Sequence, residues 1–204
     1  GLSQQSFERA SDARVPVASV LDGIAAAQRA GLAPIKVNTV LKRGVNEDEI
    51  IPLARHFRYS GIVLRFIEFM DVGSTNGWKM DDVISASEVI ERIDQTYPLR
   101  PVDPNYRGEV AKRWAYRDGG GEIGVIASVT QAFCGECSRI RLATDGKLYT
   151  CLFATRGVDL RAPLRRGDDD AAIARLIASS WTQRGDRYSQ LRHAATEMPA
   201  RKIE

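Results

Sequence analysis

An α/β fold on a parallel sheet is what the first seventy residues predict, from three observations. Val17, Val20, Leu21, Ile24 and Ala27 recur at helical spacing, with Gly31 as a natural stop. A β-branched run follows at 35–41, and an apolar run at 61–69 reads as a second strand. Between them, Asn46 with Glu49 three residues on has the pattern of a capping box opening a helix to about Phe57. Strand, helix and strand at this spacing make a βαβ unit, whose strands run parallel and are covered on both faces.

The pattern changes after Met70. Residues 71–82 are polar with two glycines and read as a long loop of the kind that joins domains or carries function. A helix is expected over 86–97, ending before Pro98. Segments 109–117 and 122–128 flank Gly119-Gly120-Gly121 and read as a β-hairpin. A cysteine-bearing segment follows, with a turn at Asp145-Gly146, and helices from about Asp159 and Asp169 come last.

Composition narrows the class. The 204 residues are 44% hydrophobic and 27% charged, the balance of an ordinary globular protein. No run reaches the ~18 apolar residues of a membrane span, and no secretory leader pattern opens the sequence. Three cysteines are too few, and odd in number, for a disulfide framework. A reducing cytoplasm is the expected compartment, with no membrane partner. The net charge of +3 does not announce a nucleic-acid binder. Its distribution says more: residues 134–166 hold seven basic side chains against three acidic ones, a local +4 around the cysteines.

Those cysteines lie in Phe133-Cys134-Gly135-Glu136-Cys137-Ser138-Arg139-Ile140-Arg141, with the third at Cys151. A Cys-x2-Cys pair can reach one metal or cluster, and a later return of the chain supplies another thiolate. In an extended segment Arg139 and Arg141 share a side. Three soft ligands thus stand beside two planar cationic forks suited to phosphate.

Three buried structural thiols are the plainer alternative, since free cysteine packs as a small hydrophobe. Clustering of every cysteine at ligand spacing speaks against it. A closed zinc site wants a fourth protein ligand. His56 and His193 are the candidates, His56 among apolar helix residues and His193 remote in sequence. A [4Fe-4S] cluster held by three thiolates leaves one iron open to a substrate. For Arg139 and Arg141 the alternative is a solvated strand face; Arg161, Arg165 and Arg166 read as surface charges at a helix end.

Lys36 and Asn38 alternate with Ile35, Val37 and Thr39, and Arg65 sits inside Gly61-Ile62-Val63-Leu64-Arg65-Phe66. Polar residues in neighbouring strands either reach solvent at a strand end or line a common cavity. Met70, at its strand's end, is by itself core or loop filler.

The motif Phe133-Cys134-x-x-Cys137-x-Arg139-x-Arg141-Leu142, followed by Thr144-Asp145-Gly146-Lys147-Leu148 and Cys151-Leu152-Phe153, resembles the C-terminal cluster motif of the GTP 3',8-cyclases. These are radical S-adenosylmethionine enzymes, also called molybdenum cofactor biosynthesis protein A. Lys36-Val37-Asn38 and Arg65-Phe66-Ile67-Glu68-Phe69-Met70 match further family segments in order, so the resemblance spans nearly the whole chain. Ser138 stands where the family has asparagine.

The resemblance implies the C-terminal part of a partial (β/α) TIM-type radical-SAM barrel over 1–75, then a smaller α+β cluster-binding domain over 76–204. It implies radical conversion of GTP to a 3',8-cyclised nucleotide, the first step of molybdopterin synthesis. Cys134, Cys137 and Cys151 would hold a substrate-binding [4Fe-4S] cluster. Arg139 and Arg141 would grip the triphosphate, Lys36 and Arg65 would contact GTP, and Met70 would line the S-adenosyl-L-methionine site. The family's N-terminal Cys-x3-Cys-x2-Cys motif, which holds a second [4Fe-4S] cluster, is not in these residues, nor is its Gly-Gly tail. A fragment, inactive in isolation, is therefore expected. A homodimer and a downstream cyclic pyranopterin monophosphate synthase are the implied protein partners. A zinc-ribbon module binding nucleic acid is the alternative function, with Tyr149 and Phe153 as its nearby stacking aromatics, and a structural remnant without a ligand is a third.

Overall fold

The computed structural model describes residues 1–11, 15–72 and 77–191. The chain divides into two compact units, 1–71 with 77–132, and 72–76 with 133–204. The boundary expected near residue 75 thus falls later: the strands after it belong to the first unit's sheet.

In the first unit, helix α1 (Gln4–Ala10) and helix α2 (Val17–Arg29) precede strand β1 (Lys36–Leu41). Helix α3 (Ile50–Phe57) leads to β2 (Val63–Glu68), and α4 (Ala86–Thr96) to β3 (Leu99–Val102). Strands β4 (Lys112–Tyr116) and β5 (Glu122–Ile126) form the expected hairpin. Gly119 and Gly121 take φ of 81° and 96° in its turn, a region closed to most side chains.

These strands make one sheet in the order β1-β2-β5-β4-β3. β1, β2 and β5 pair in parallel, whereas β4 runs antiparallel to both of its neighbours, β5 and β3. The sheet is therefore mixed rather than wholly parallel, because the hairpin returns its second strand to the edge of the βαβ unit. Pro101, which cannot donate to a ladder, lies on the edge strand β3.

One face carries the core. Leu64, Phe66, Ile123 and Val125 pack with Ile50, Leu53, Val89 and Ile93 of α3 and α4, each contributing about 1.5–3 kcal/mol by burial. Ser85 caps α4 by accepting from the Glu88 amide at 3.2 Å. The other face differs from expectation. Lys36, Asn38 and Val40 of β1 are exposed, Val40 to 47%, and α2 buries none of its residues.

The capping box at Asn46 does not form. Asn46 is buried and turns back to β1, its Oδ1 accepting from the Lys42 amide at 2.8 Å and its Nδ2 donating to the Val40 carbonyl at 2.9 Å. A 3-10 turn over Glu47–Glu49 intervenes before α3.

Glu68, only 3% exposed, ends β2 as a carboxylate with four donors. Oε1 accepts from Ala86 N at 2.8 Å and Thr130 Oγ1 at 2.6 Å, and Oε2 from Val129 N at 2.8 Å and Thr130 N at 2.9 Å. It ties the start of α4 to the segment following β5.

The second unit holds a small antiparallel sheet of β6 (Arg141–Leu142), β7 (Lys147–Tyr149) and β8 (Val158–Asp159). Helices α5 (Arg161–Arg166), α6 (Asp170–Thr182) and α7 (Tyr188–Leu191) follow. Asp169 caps α6 through the Ala172 amide at 2.7 Å. Among the described residues no helix is long and apolar enough to cross a membrane.

Candidate functional site: three thiols and two arginines

Cys134 opens a 3-10 turn, Cys134–Glu136, which Cys137 N closes by donating to the Cys134 carbonyl at 3.3 Å. From there the chain runs extended into β6. Cys137, Arg139 and Arg141 are half-buried, while Ser138, Ile140 and Leu142, each following one of them, are exposed. That alternation puts both arginines on the side of Cys137. β6 pairs Arg141 with Tyr149, and the returning strand delivers Cys151 two residues later.

All three thiols are free and half-buried. Arg139 Nε and Nη2 lie 3.4 and 3.3 Å from Cys137 Sγ, with the guanidinium 4.9 Å over the Phe133 ring. Burial pushes the Cys137 thiol up, but the hydrogen bonds and charge of Arg139, with the charge of Arg184, outweigh it and leave the group below its ordinary value. Burial is also the largest influence on Cys151, where it prevails. The Phe153 amide at 3.4 Å favours the thiolate, but the negative charges of Asp186 and Cys134 oppose it, and the group stays high.

The segment after α6 lies along both arms of this loop. Arg184 Nη1 donates to the Cys137 carbonyl, Thr150 Oγ1 donates to Asp186, and Tyr188 stacks on Phe153 with ring centres 4.1 Å apart. One face of Phe153 is therefore occupied from within the chain. Among the described residues no three His, Cys, Asp or Glu side chains converge as a single metal ion requires. One tetrahedral ion draws its sulfurs to within about 4 Å of one another, given Zn–S bonds near 2.3 Å. His56 is exposed on α3, its ring edge-on to Phe57 at 4.8 Å, and His193 lies outside the described residues.

In the first unit, parallel pairing sets Asn38 beside Arg65, and Lys36 two residues earlier on the same face. Lys36, Asn38 and Arg65 thus share the face opposite the core. Arg65 is half-buried and pairs with Glu109 at 3.7 Å. Met70 is half-buried just beyond β2.

Residues 62–190 match the Molybdenum Cofactor Synthesis C family. The chain belongs to that family. Within the Molybdenum Cofactor Synthesis C match lie β2, Arg65, Met70 and the whole cysteine–arginine loop, whereas Lys36 precedes it. Over 195 residues the chain is 50% identical to the GTP 3',8-cyclase of Acidothermus cellulolyticus, covering 94% of this chain and 54% of that protein. It is 52% identical over 186 residues to the GTP 3',8-cyclase of Xanthomonas axonopodis pv. citri, covering 91% and 55%. Against the enzyme of that name from Synechococcus sp. WH7803 it is 48% identical over 184 residues, covering 88% and 52%. The chain spans about half the length of the curated relatives it matches.

Three polar residues escaped the sequence reading: Glu68, Glu109 and Arg184. Nothing local in the sequence around Glu68 or Glu109 distinguishes a buried carboxylate from a surface one. Gly124 did carry a signal, because a glycine inside a strand marks close approach of another group.

Proposed function

We propose that this chain is the GTP-binding half of a GTP 3',8-cyclase, converting GTP to (8S)-3',8-cyclo-7,8-dihydroguanosine 5'-triphosphate in molybdenum cofactor biosynthesis. The observation that carries the reading is the thiol set of Cys134, Cys137 and Cys151 with Arg139 and Arg141 on the Cys137 side. The identity to three enzymes of that name supports it.

The donor set fits a [4Fe-4S] cluster. All three ligands are soft, none is spent in a disulfide, and one is already turned toward the thiolate by Arg139. When bound, such a cluster supplies a Lewis-acidic iron with a position open to a substrate donor. Arg139 and Arg141 then bind the triphosphate through planar forks. Lys36 and Arg65 are further GTP contacts on the polar face of the first unit, a sheet we assign to the later strands of a partial TIM-type radical-SAM barrel. Met70 is assigned to the S-adenosyl-L-methionine site.

Every cysteine of the 204 residues is committed to this one set, so the second [4Fe-4S] cluster draws its ligands from elsewhere in the longer protein. The family resemblance extends the proposal to a cytoplasmic homodimer whose product passes to cyclic pyranopterin monophosphate synthase.

The test is turnover. A protein of the relatives' length that contains this chain should form the cyclised nucleotide and 5'-deoxyadenosine from GTP and S-adenosylmethionine under strong reductant. The 204-residue chain alone should yield neither. Cofactor-dependent 5'-deoxyadenosine from the isolated chain would transfer Cys134, Cys137 and Cys151 to the radical-generating role and overturn the assignment.

A further inference from the structure

Among the described residues, Arg65 is the only proposed GTP contact with a charge partner in the same unit that is almost wholly shut from solvent. The Glu109 side chain is 1% exposed and that of Arg65 is 15% exposed, with Nη2 and Oε1 3.7 Å apart. At that distance the two groups attract without sharing a good hydrogen bond. Glu109 is aimed independently, because its Oε2 accepts from the Asn105 amide at 2.7 Å. The stem of Arg65 lies across Gly124, its register partner on β5. A methyl group at Gly124 would stand 3.1 Å from Arg65 Cγ and 3.3 Å from the Ala111 methyl, so the sheet is notched to let the arginine lie flat. Its Nε is buried and, among the described residues, has no hydrogen-bond partner.

A buried guanidinium donor without an acceptor is costly unless a ligand supplies one. The charge at this position is already balanced, however. A phosphate brought to Arg65 would also be brought close to the Glu109 carboxylate, where solvent screens poorly and like charges repel. A carbonyl, ring nitrogen or hydroxyl meets no such opposition.

We infer that Glu109 is the positioning residue of Arg65, and that the pair, laid across Gly124, reads an uncharged acceptor on the base or ribose of the nucleotide rather than a phosphate. This deepens the proposed GTP site and rests on the reading that Arg65 touches the nucleotide. Glu109 aims the guanidinium and cancels its charge, leaving Nε to select by hydrogen bonding. Arg139 and Arg141 answer to phosphate charge.

Titrations of the 204-residue chain with GTP and with guanosine at matched salt test the division. Arg65→Lys keeps the charge beside Glu109 and removes Nε, so it should weaken both ligands by the same factor, about tenfold. Glu109→Gln should weaken both likewise in the parent chain and do nothing further in the Arg65→Lys background. A purely structural role for Glu109 would add its cost in either background. A loss confined to GTP in Arg65→Lys would make Arg65 a phosphate ligand and overturn the inference while leaving the GTP site intact. No loss for either ligand would remove Arg65 from the site altogether, and the inference with it. If Glu109→Gln does not fold, the Arg65→Lys comparison of the two ligands still decides between base and phosphate.

Discussion

Arg139 closes on Cys137, its Nε and Nη2 3.4 and 3.3 Å from the sulfur, while Cys151 accepts from the Phe153 amide at 3.4 Å. The two thiols are thereby driven in opposite directions, Cys137 below its ordinary value and Cys151 above it. A lowered thiol carries more thiolate at a given pH, and thiolate is the reacting form. In the metal-free chain near neutral pH, Cys137 should alkylate with iodoacetamide ahead of Cys151, as read by peptide mass spectrometry. The lead should shrink only once pH has risen past the raised value of Cys151, where both thiols are ionised, and should largely vanish in Arg139→Gln. Cys151 reacting first would contradict the electrostatic account.

Glu68→Ala should be among the most destabilising changes in the first unit. It strips the acceptor from Ala86 N, Val129 N, Thr130 N and Thr130 Oγ1 together. Each bond to a charged group contributes about 1.5–3 kcal/mol, and they are not additive, so a loss of about 3–5 kcal/mol is expected. Urea denaturation measures it. A loss below about 1 kcal/mol, the size of a surface change, would mean the latch is ornamental.

The pairing of Arg139 and Arg141 on one side predicts a joint role in phosphate binding. Each is expected to contribute about 1.5–3 kcal/mol, so either single alanine should weaken GTP roughly ten- to hundredfold. Lysine should rescue little, since it keeps the charge and loses the fork. Titration at matched salt checks this, and a double alanine variant that binds GTP as the parent does would make both arginines surface residues.

Gly146 turns β6 into β7 at a φ of 82°, and a Cβ there would meet Arg161 Cβ at 2.7 Å. Gly146→Ala should therefore destabilise the second unit by more than the ~1 kcal/mol of a conformational penalty alone. Hydrogen exchange of the β7 amides should accelerate, with those of β2 and β5 unchanged. Equal acceleration in both would mean that the two units do not respond separately.

The sequence disclosed what period and punctuation encode. Val17 to Gly31, the strand pair around Leu41 and Phe66, and the triple-glycine hairpin all stand as expected, because each depends on local side-chain spacing and turn chemistry. Asn46 does not cap the helix ahead because its side chain bonds the backbone of Val40 and Lys42 behind it, an alternative that the residue type alone does not exclude. The pairing of β5 with β2 lay beyond periodicity, since it joins residues about sixty positions apart. At the candidate site the cysteines and arginines were legible from spacing alone. Glu109, which partners Arg65 across more than forty residues, was not.

The central claim is that Cys134, Cys137 and Cys151 form one iron–sulfur site, and iron, sulfide and zinc analysis of the anaerobically purified chain tests it most directly. The account predicts about four iron and four sulfide per chain with negligible zinc, as for a [4Fe-4S] centre, and loss of that stoichiometry in Cys151→Ala with the first unit still folded. Stoichiometric zinc in the parent chain, or full iron in Cys151→Ala, would contradict it.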